Sequence, residues 1–144
     1  GALPQRNAAF GAWTEGRALI GTGSPFPPVP WQGREIPINQ TNNSYIFPGV
    51  GLAVLATHAR RVTDAMFMAA GRPLAALSPA RRDKNARLLP PVQQLRPVAI
   101  SVAQAVARQA MAEGVAERID DATLDARIRA LVWEPVYRPY RKQA

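Results

Sequence analysis

Apolar residues recur along this chain at spacings that predict four helices and one short strand. Val98, Val102, Val106 and Ala110 stand four residues apart in an alanine-rich run, so they line one face of a helix over residues 98–113. Gly114 ends that helix as a C-terminal cap. Downstream, Leu124, Ile128 and Leu131 repeat the helical spacing on a last helix capped by Asp120 or Asp121. Upstream, Pro48 suits a first helical turn, where its missing donor costs nothing, and Val50 to Ala59 continue it. Val50, Val54 and Leu55 are expected on one face of it, while Ala53 and Ala56 permit close packing against a neighbour. Thr63 is expected to cap a further helix that turns Met66, Phe67 and Ala70 inward, with Gly71 and Pro73 ending or kinking it. Ala18-Leu19-Ile20, bounded by Gly21 and Gly23, reads as a short buried strand.

The stretches between these patterns are irregular in different ways. From Gly21 to Gly51 the chain collects small residues, prolines and the paired amides Asn42 and Asn43. Pro25, Pro27, Pro28 and Pro30 fix φ and remove amide donors, which predicts an ordered, extended loop without regular structure. Residues 31–35 read as a turn, and Ile36-Pro37-Ile38 as an extended piece that is at most an edge strand. Gly49 and Gly51 at a helix start are costly unless a backbone or a ligand approaches them. Ala8 to Gly16 place Phe10 and Trp13 on a short helical turn. Ser78 to Leu89 form a basic, solvated connection closed by Pro90-Pro91, and residues 133–141 form an extended aromatic tail suited to docking on another surface.

Composition narrows the classes. With 144 residues and 47% hydrophobic content the chain can bury one core. It has no cysteine, which removes disulfides and thiolate metal sites and fits a cytoplasmic setting. The apolar run from Val50 to Thr57 meets His58, Arg60 and Arg61 long before it could span a bilayer, so no membrane partner is expected. The first residues lack the basic and apolar regions of a secretion signal. A formal net charge of +8 would draw phosphates or acidic metabolites. The arginines are scattered and no aromatic residues interleave with them, which argues against nucleic acid as a partner.

Catalytic chemistry is thin. His58 stands alone, and Asp64, Asp83, Asp120, Asp121 and Asp125 occupy capping or charge-flanked positions, so no metal set converges. His58 reads as a partly buried helix residue and not as a catalytic base. Ser24 follows Gly23 and precedes Pro25, outside the turn that exposes a hydrolase nucleophile. No glycine-rich nucleotide fingerprint and no phosphate-binding lysine loop are present. Asn42-Asn43 are more suggestive. Their amides offer donors and an acceptor without charge, ahead of a helix N-terminus whose free amides and dipole favour an anion. They also suit a plainer role, satisfying loop backbone and capping the next helix.

Several motifs together resemble the C-terminal part of malic enzymes of the long, bacterial NAD-linked type. They are Trp13 to Ile20, Gly23-Ser24-Pro25-Phe26, Gln40 to Gly49, Arg61-Val62-Thr63-Asp64, Leu88-Leu89-Pro90-Pro91 and Trp133-Glu134-Pro135-Val136-Tyr137, which span nearly the whole chain in matching order. The resemblance implies oxidative decarboxylation of malate to pyruvate and CO2, with NAD or NADP reduced and Mg2+ or Mn2+ assisting. It implies that Asn42 and Asn43 line the malate and nicotinamide pocket and that Ser24 neighbours the cofactor. The acid/base pair, the metal ligands and the glycine fingerprint are implied to lie upstream, which makes this chain a fragment, inactive in isolation, with no catalytic or metal residue of its own. Its partners would then be malate and the remainder of the enzyme, with homo-oligomers at full length.

The fold expected is mostly α with one or two short strands. Residues 1–77 would close an α/β Rossmann-like NAD-binding domain, and residues 78–144 would form a helical C-terminal extension and tail. Asn39 and Thr41 stand where many relatives carry glycine, which is expected to alter the approach to Asn42. Gly71-Arg72-Pro73 is expected to interrupt an alanine-rich helix of the family. The competing class is a basic helical binding module without catalysis.

Overall fold

The computed structural model describes residues 9, 11–83, 85–134 and 136. Residues 11–13 are helical, as the short turn expected around Trp13 requires, and four strands of three residues each follow: β1 (Ile20–Thr22), β2 (Val29–Trp31), β3 (Arg34–Ile36) and β4 (Ile38–Gln40). Four helices follow: α1 (Phe47–Thr57), α2 (Asp64–Ala76), α3 (Leu95–Ala112) and α4 (Asp121–Leu131). About half of the described residues are helical, where a mostly α chain was expected, and the strands number four among the described residues where one or two were anticipated.

The helices form the main core, with α3 at its centre and α1, α2 and α4 packed around it. The valine stripe works as the spacing requires: Val98, Val102, Val106 and Ala110 are all buried. Met66 and Ala70 of α2 and Leu124 and Ile128 of α4 close on them. Local chemistry sets the helix ends. The Thr63 hydroxyl accepts from the Met66 N–H at 3.2 Å, the Asp120 carboxylate accepts from the Thr123 N–H at 2.9 Å, and Gly114 takes a left-handed φ of 68° past the end of α3.

Several expectations change in the structure. The first strand lies two residues later than the run 18–20: Ile20 is buried, while Leu19 is 63% exposed. The inward face of α1 is built from Gly49, Val50, Ala53, Ala56 and Thr57, and Leu55 points outward. Small residues win there because α1 lies close against α3. Phe67 is half exposed and meets Phe47 edge-on, with ring centres 6.3 Å apart, and Leu131 is likewise outside the core. Gly71 and Pro73 do not end α2, which runs on to Ala76. Pro73 forfeits one backbone bond near the helix end, while Leu74 packs on the core and the Leu77 N–H donates to the Pro73 carbonyl at 3.0 Å.

Pro30 lies inside β2, against the expectation that the prolines exclude regular structure. β2 and β3 pair antiparallel around Gln32 and Gly33, whose φ values of 46° and 77° make a tight hairpin turn. In that register Trp31 and Arg34 close the turn, which places Pro30 opposite Glu35 at a pair that exchanges no backbone bonds. Phe10, and the tail residues 135 and 137–144, lie outside the described residues. Trp133 and Val136 before and within that tail are exposed. Among the described residues no helix is long and apolar enough to cross a membrane.

Candidate functional site

β1 and β4 pair in parallel, Ile20 with Ile38, Gly21 with Asn39 and Thr22 with Gln40. The ladder extends one step further, the Thr41 N–H donating to the Thr22 carbonyl at 2.7 Å. Because the strands run the same way, both carboxyl ends open on one edge. Ser24 leaves that edge two residues after β1, and Asn42 leaves it two residues after β4. This parallel arrangement brings the loops of the expected site residues to one edge, where open α/β sheets hold ligands.

Gly21 is required by Thr41. A Cβ on Gly21 would lie 2.7 Å from the Thr41 methyl, so only glycine lets Thr41 fold across β1. Asn39 fixes the strand pair from within. It is buried, its amide nitrogen donates to the Ile20 carbonyl at 3.2 Å, and its Oδ1 accepts from the Leu88 N–H at 2.6 Å. Beyond the loop, the buried Tyr45 hydroxyl donates to the Pro90 carbonyl at 2.6 Å. Burial pushes the Tyr45 phenol above its ordinary pKa, and the charge of Arg87 offsets part of that rise. The segment 88–90 therefore holds the amide loop on both sides.

Asn42 has an extended backbone and caps a 3-10 turn over Asn43–Tyr45. Its Oδ1 accepts from the Ser44 N–H at 2.8 Å and from the Ser44 hydroxyl. Asn43 is exposed, and its side chain makes no hydrogen bond among the described residues. The turn leads directly into α1, which has no side-chain cap; Pro48 carries no N–H, the Val50 N–H donates to the Ile46 carbonyl at 3.1 Å and Gly49 is buried, so Phe47 carries the exposed amide of this first turn. Ser24 is exposed, and its carbonyl accepts from the Thr22 hydroxyl at 2.7 Å. The far side of Ser44 borders an apolar groove of about 460 Å³ that runs along Pro48, Gly51, Leu55, Leu95 and Trp133.

The other candidates stay apart from this edge. His58 is exposed at the C-terminus of α1, with a left-handed φ of 50°, and pairs with Glu117 at 3.1 Å, which corrects the partly buried placement expected for it. Arg127 binds the same carboxylate at 2.8 Å, and the hydrogen bonds from Arg127 first and His58 second hold Glu117 below the ordinary carboxylate range. Among the described residues no three histidines or carboxylates converge as a metal ion requires. The sequence marked Asn39 only as a departure that alters the approach to Asn42, and it did not single out Ser44 or Tyr45 as site builders. An amide directly after Ile36-Pro37-Ile38 was the available signal for Asn39.

Comparison with known proteins agrees with this geometry. Residues 6–111 match the family model described as malic enzyme, NAD binding domain. The NAD-dependent malic enzyme of Vibrio campbellii is 51% identical over 132 residues, 92% of this chain and 24% of that protein. The NAD-dependent malic enzyme of Edwardsiella ictaluri is 49% identical over 130 residues, 90% and 23% of the two chains. Among solved structures, Entamoeba histolytica malic enzyme superposes with a TM-score of 0.60 at 31% identity, covering 81% of this chain and 22% of its own. Malic enzyme from Pyrococcus horikoshii gives 0.61 at 28% identity, covering 82% and 25%. The chain spans about a quarter of the length of the curated relatives it matches.

Proposed function

This chain belongs to the malic enzyme family, and from that premise we propose that it supplies one wall of a malate and nicotinamide pocket for NAD-dependent oxidative decarboxylation of malate to pyruvate and CO2. The observation that carries this reading is the parallel β1–β4 pair, which sends the Ser24 loop and the Asn42-Asn43 loop from one carboxyl edge.

The residues fit a dinucleotide and a dicarboxylate by their chemistry. Asn43 presents an amide with no partner among the described residues, able to pair with a carboxamide or a carboxylate oxygen. Asn42 presents the donor half of its amide, its oxygen being taken by Ser44. The uncapped first turn of α1 adds the Phe47 amide and the positive end of the helix dipole beside them. A bound NAD would supply a hydride acceptor for the substrate's hydroxyl-bearing carbon. The contribution of this chain is to hold the two reactants at reacting distance, a positioning role and not a proton-transfer one. The described residues do not assemble a divalent metal site, so no step is assigned to a metal here.

Two measurements test the reading. The purified 144-residue chain, given malate, NAD and Mn2+, is expected to form no NADH; turnover by it would show that acid/base groups are present and would overturn the positioning-only role. In a malic enzyme carrying this chain as its matching segment, Asn43→Ala should lower kcat/KM for malate at least about tenfold, the scale of one lost orienting contact. Unchanged kinetics would return Asn43 to a loop residue.

A further inference from the structure

We infer that Ser44 locks the Asn42 amide in one orientation, so that Asn42 meets its ligand only as a hydrogen-bond donor and selects an acceptor such as a carboxylate oxygen. The inference rests on the pocket proposed above and assigns a specificity role within it to a residue outside the amide pair.

An asparagine amide can turn over and exchange its donor and acceptor ends, and the protein must decide which end faces the ligand. Here the decision is made by Ser44. Its backbone N–H can only donate, so the Asn42 atom 2.8 Å away must be the carbonyl oxygen; the amide nitrogen there would set two donors against each other. The Ser44 hydroxyl donates to the same oxygen. Two donors occupy the two lone pairs of Oδ1, leaving Asn42 no acceptor to offer. What remains is the Nδ2 amide, with no partner among the described residues. Asn42 and Ser44 are both half-buried, which limits their movement, whereas the neighbouring Asn43 is exposed, has no side-chain partner among the described residues and keeps both ends of its amide.

The pair is therefore divided chemically. Asn42 rewards a ligand oxygen with free lone pairs and rejects an N–H or O–H donor, while Asn43 accepts either. The ionised carboxylates of a hydroxy-dicarboxylate offer acceptor oxygens only, which matches the fixed end, whereas its hydroxyl can also donate. Without the serine hydroxyl, one of the two bonds holding the amide is lost and its outward end is less constrained.

The test is a mutant cycle in a malic enzyme carrying this chain as its matching segment. Ser44→Ala should lower kcat/KM for malate about fivefold, the scale of one neutral hydrogen bond, chiefly through KM and with Tm unchanged. Ser44→Thr, which keeps the hydroxyl, should stay within about twofold of the parent. Added to Asn42→Ala, Ser44→Ala should cause no further loss, because the serine acts only through that amide. If Asn42→Ala is impaired while Ser44→Ala is not, or if the two losses add independently, the lock is refuted and the pocket stands. If Asn42→Ala itself leaves kcat/KM unchanged, the pocket reading fails and the lock with it.

Discussion

Gly49 and Gly51 sit two residues apart in α1 and should respond in opposite directions to the same methyl group. A Cβ on Gly49 would lie 2.5 Å from Val102 Cγ1, 2.6 Å from Val102 Cβ and 2.8 Å from the Ala99 carbonyl oxygen. Contacts between such atoms settle near 3.5–4.0 Å, so α1 and α3 would have to part by roughly 1 Å. Val102 is fully buried and cannot swing away, and the Ala99 oxygen belongs to the α3 backbone. Overpacking of this kind costs about 1–3 kcal/mol, and a backbone obstacle puts it at the upper end. The helix preference of alanine returns up to about 1 kcal/mol. Gly49→Ala should therefore destabilise by about 2 kcal/mol, a fall in Tm of about 6 °C for a chain of this size. At Gly51 a Cβ meets nothing within 4 Å, so the helix preference acts alone and Gly51→Ala should raise Tm by about 2–3 °C. Thermal unfolding followed by far-ultraviolet circular dichroism on the purified chain separates the two. A Gly49→Ala variant as stable as the parent, or shifts of the same sign at both positions, would refute the close-approach argument.

Two further outcomes follow from the hydrogen bonds. Asn39→Ala leaves a buried Ile20 carbonyl and a half-buried Leu88 N–H without their partner, and urea unfolding should show a loss of about 1–3 kcal/mol; a loss well below this range would mean that the two groups find other partners. Acid sensitivity follows from Glu117, Asp120 and Asp125, each held below its ordinary pKa, by Arg127 and then His58, by the Thr123 side chain and backbone, and by Arg129, respectively. As pH falls, the unfolded chain takes up protons at these groups before the folded one does. Stability is therefore complete above about pH 5 and declines as pH drops through about 4 and below. A urea midpoint that holds or rises below pH 4 would show that these pairings do not stabilise the fold.

The helices were legible because their signals are local. The four-residue valine stripe of α3 and the caps at Thr63, Asp120 and Gly114 need no knowledge of the rest of the chain. What escaped the sequence depends on distance or direction. The bond from Leu88 to Asn39 spans 49 residues and that from Tyr45 to Pro90 spans 45, and no local pattern announces either. Prolines misled for a directional reason: whether a missing donor matters depends on where it would have pointed, and at Pro30 it points away from the partner strand. Leu55 and Leu131 misled because helical spacing identifies a stripe without deciding whether this chain covers it. At the site, the amide pair stood out as chemistry, but its meaning came from resemblance. The structure adds the parallel register that brings its loop and that of Ser24 to one edge.

The two loops at that edge differ in how firmly they are held, and the difference bears on their roles. On the amide side, β4 is fixed to β1 by its ladder, Asn39 ties the strand to Leu88, Tyr45 ties the following turn to the buried Pro90, and Gly49 seats α1 directly on α3. Only about two residues, Thr41 and Asn42, lie between pinned elements, and Ser44 orients the second of them. Little backbone freedom is left to lose when a ligand arrives, which is the condition for accurate orientation of reactants. On the Ser24 side, Gly23, Ser24 and Pro25 are exposed, and among the described residues their hydrogen bond to β4 is one long contact, Gln40 Nε2 to the Gly23 carbonyl at 3.5 Å, before Phe26 packs on the cluster of Ile20, Ile36 and Ile38. A loop held that loosely adapts to a ligand more readily than it positions one. In the pocket proposed above, this difference would give the alignment of the reactants to the amide pair and an adaptable contact to the Ser24 loop.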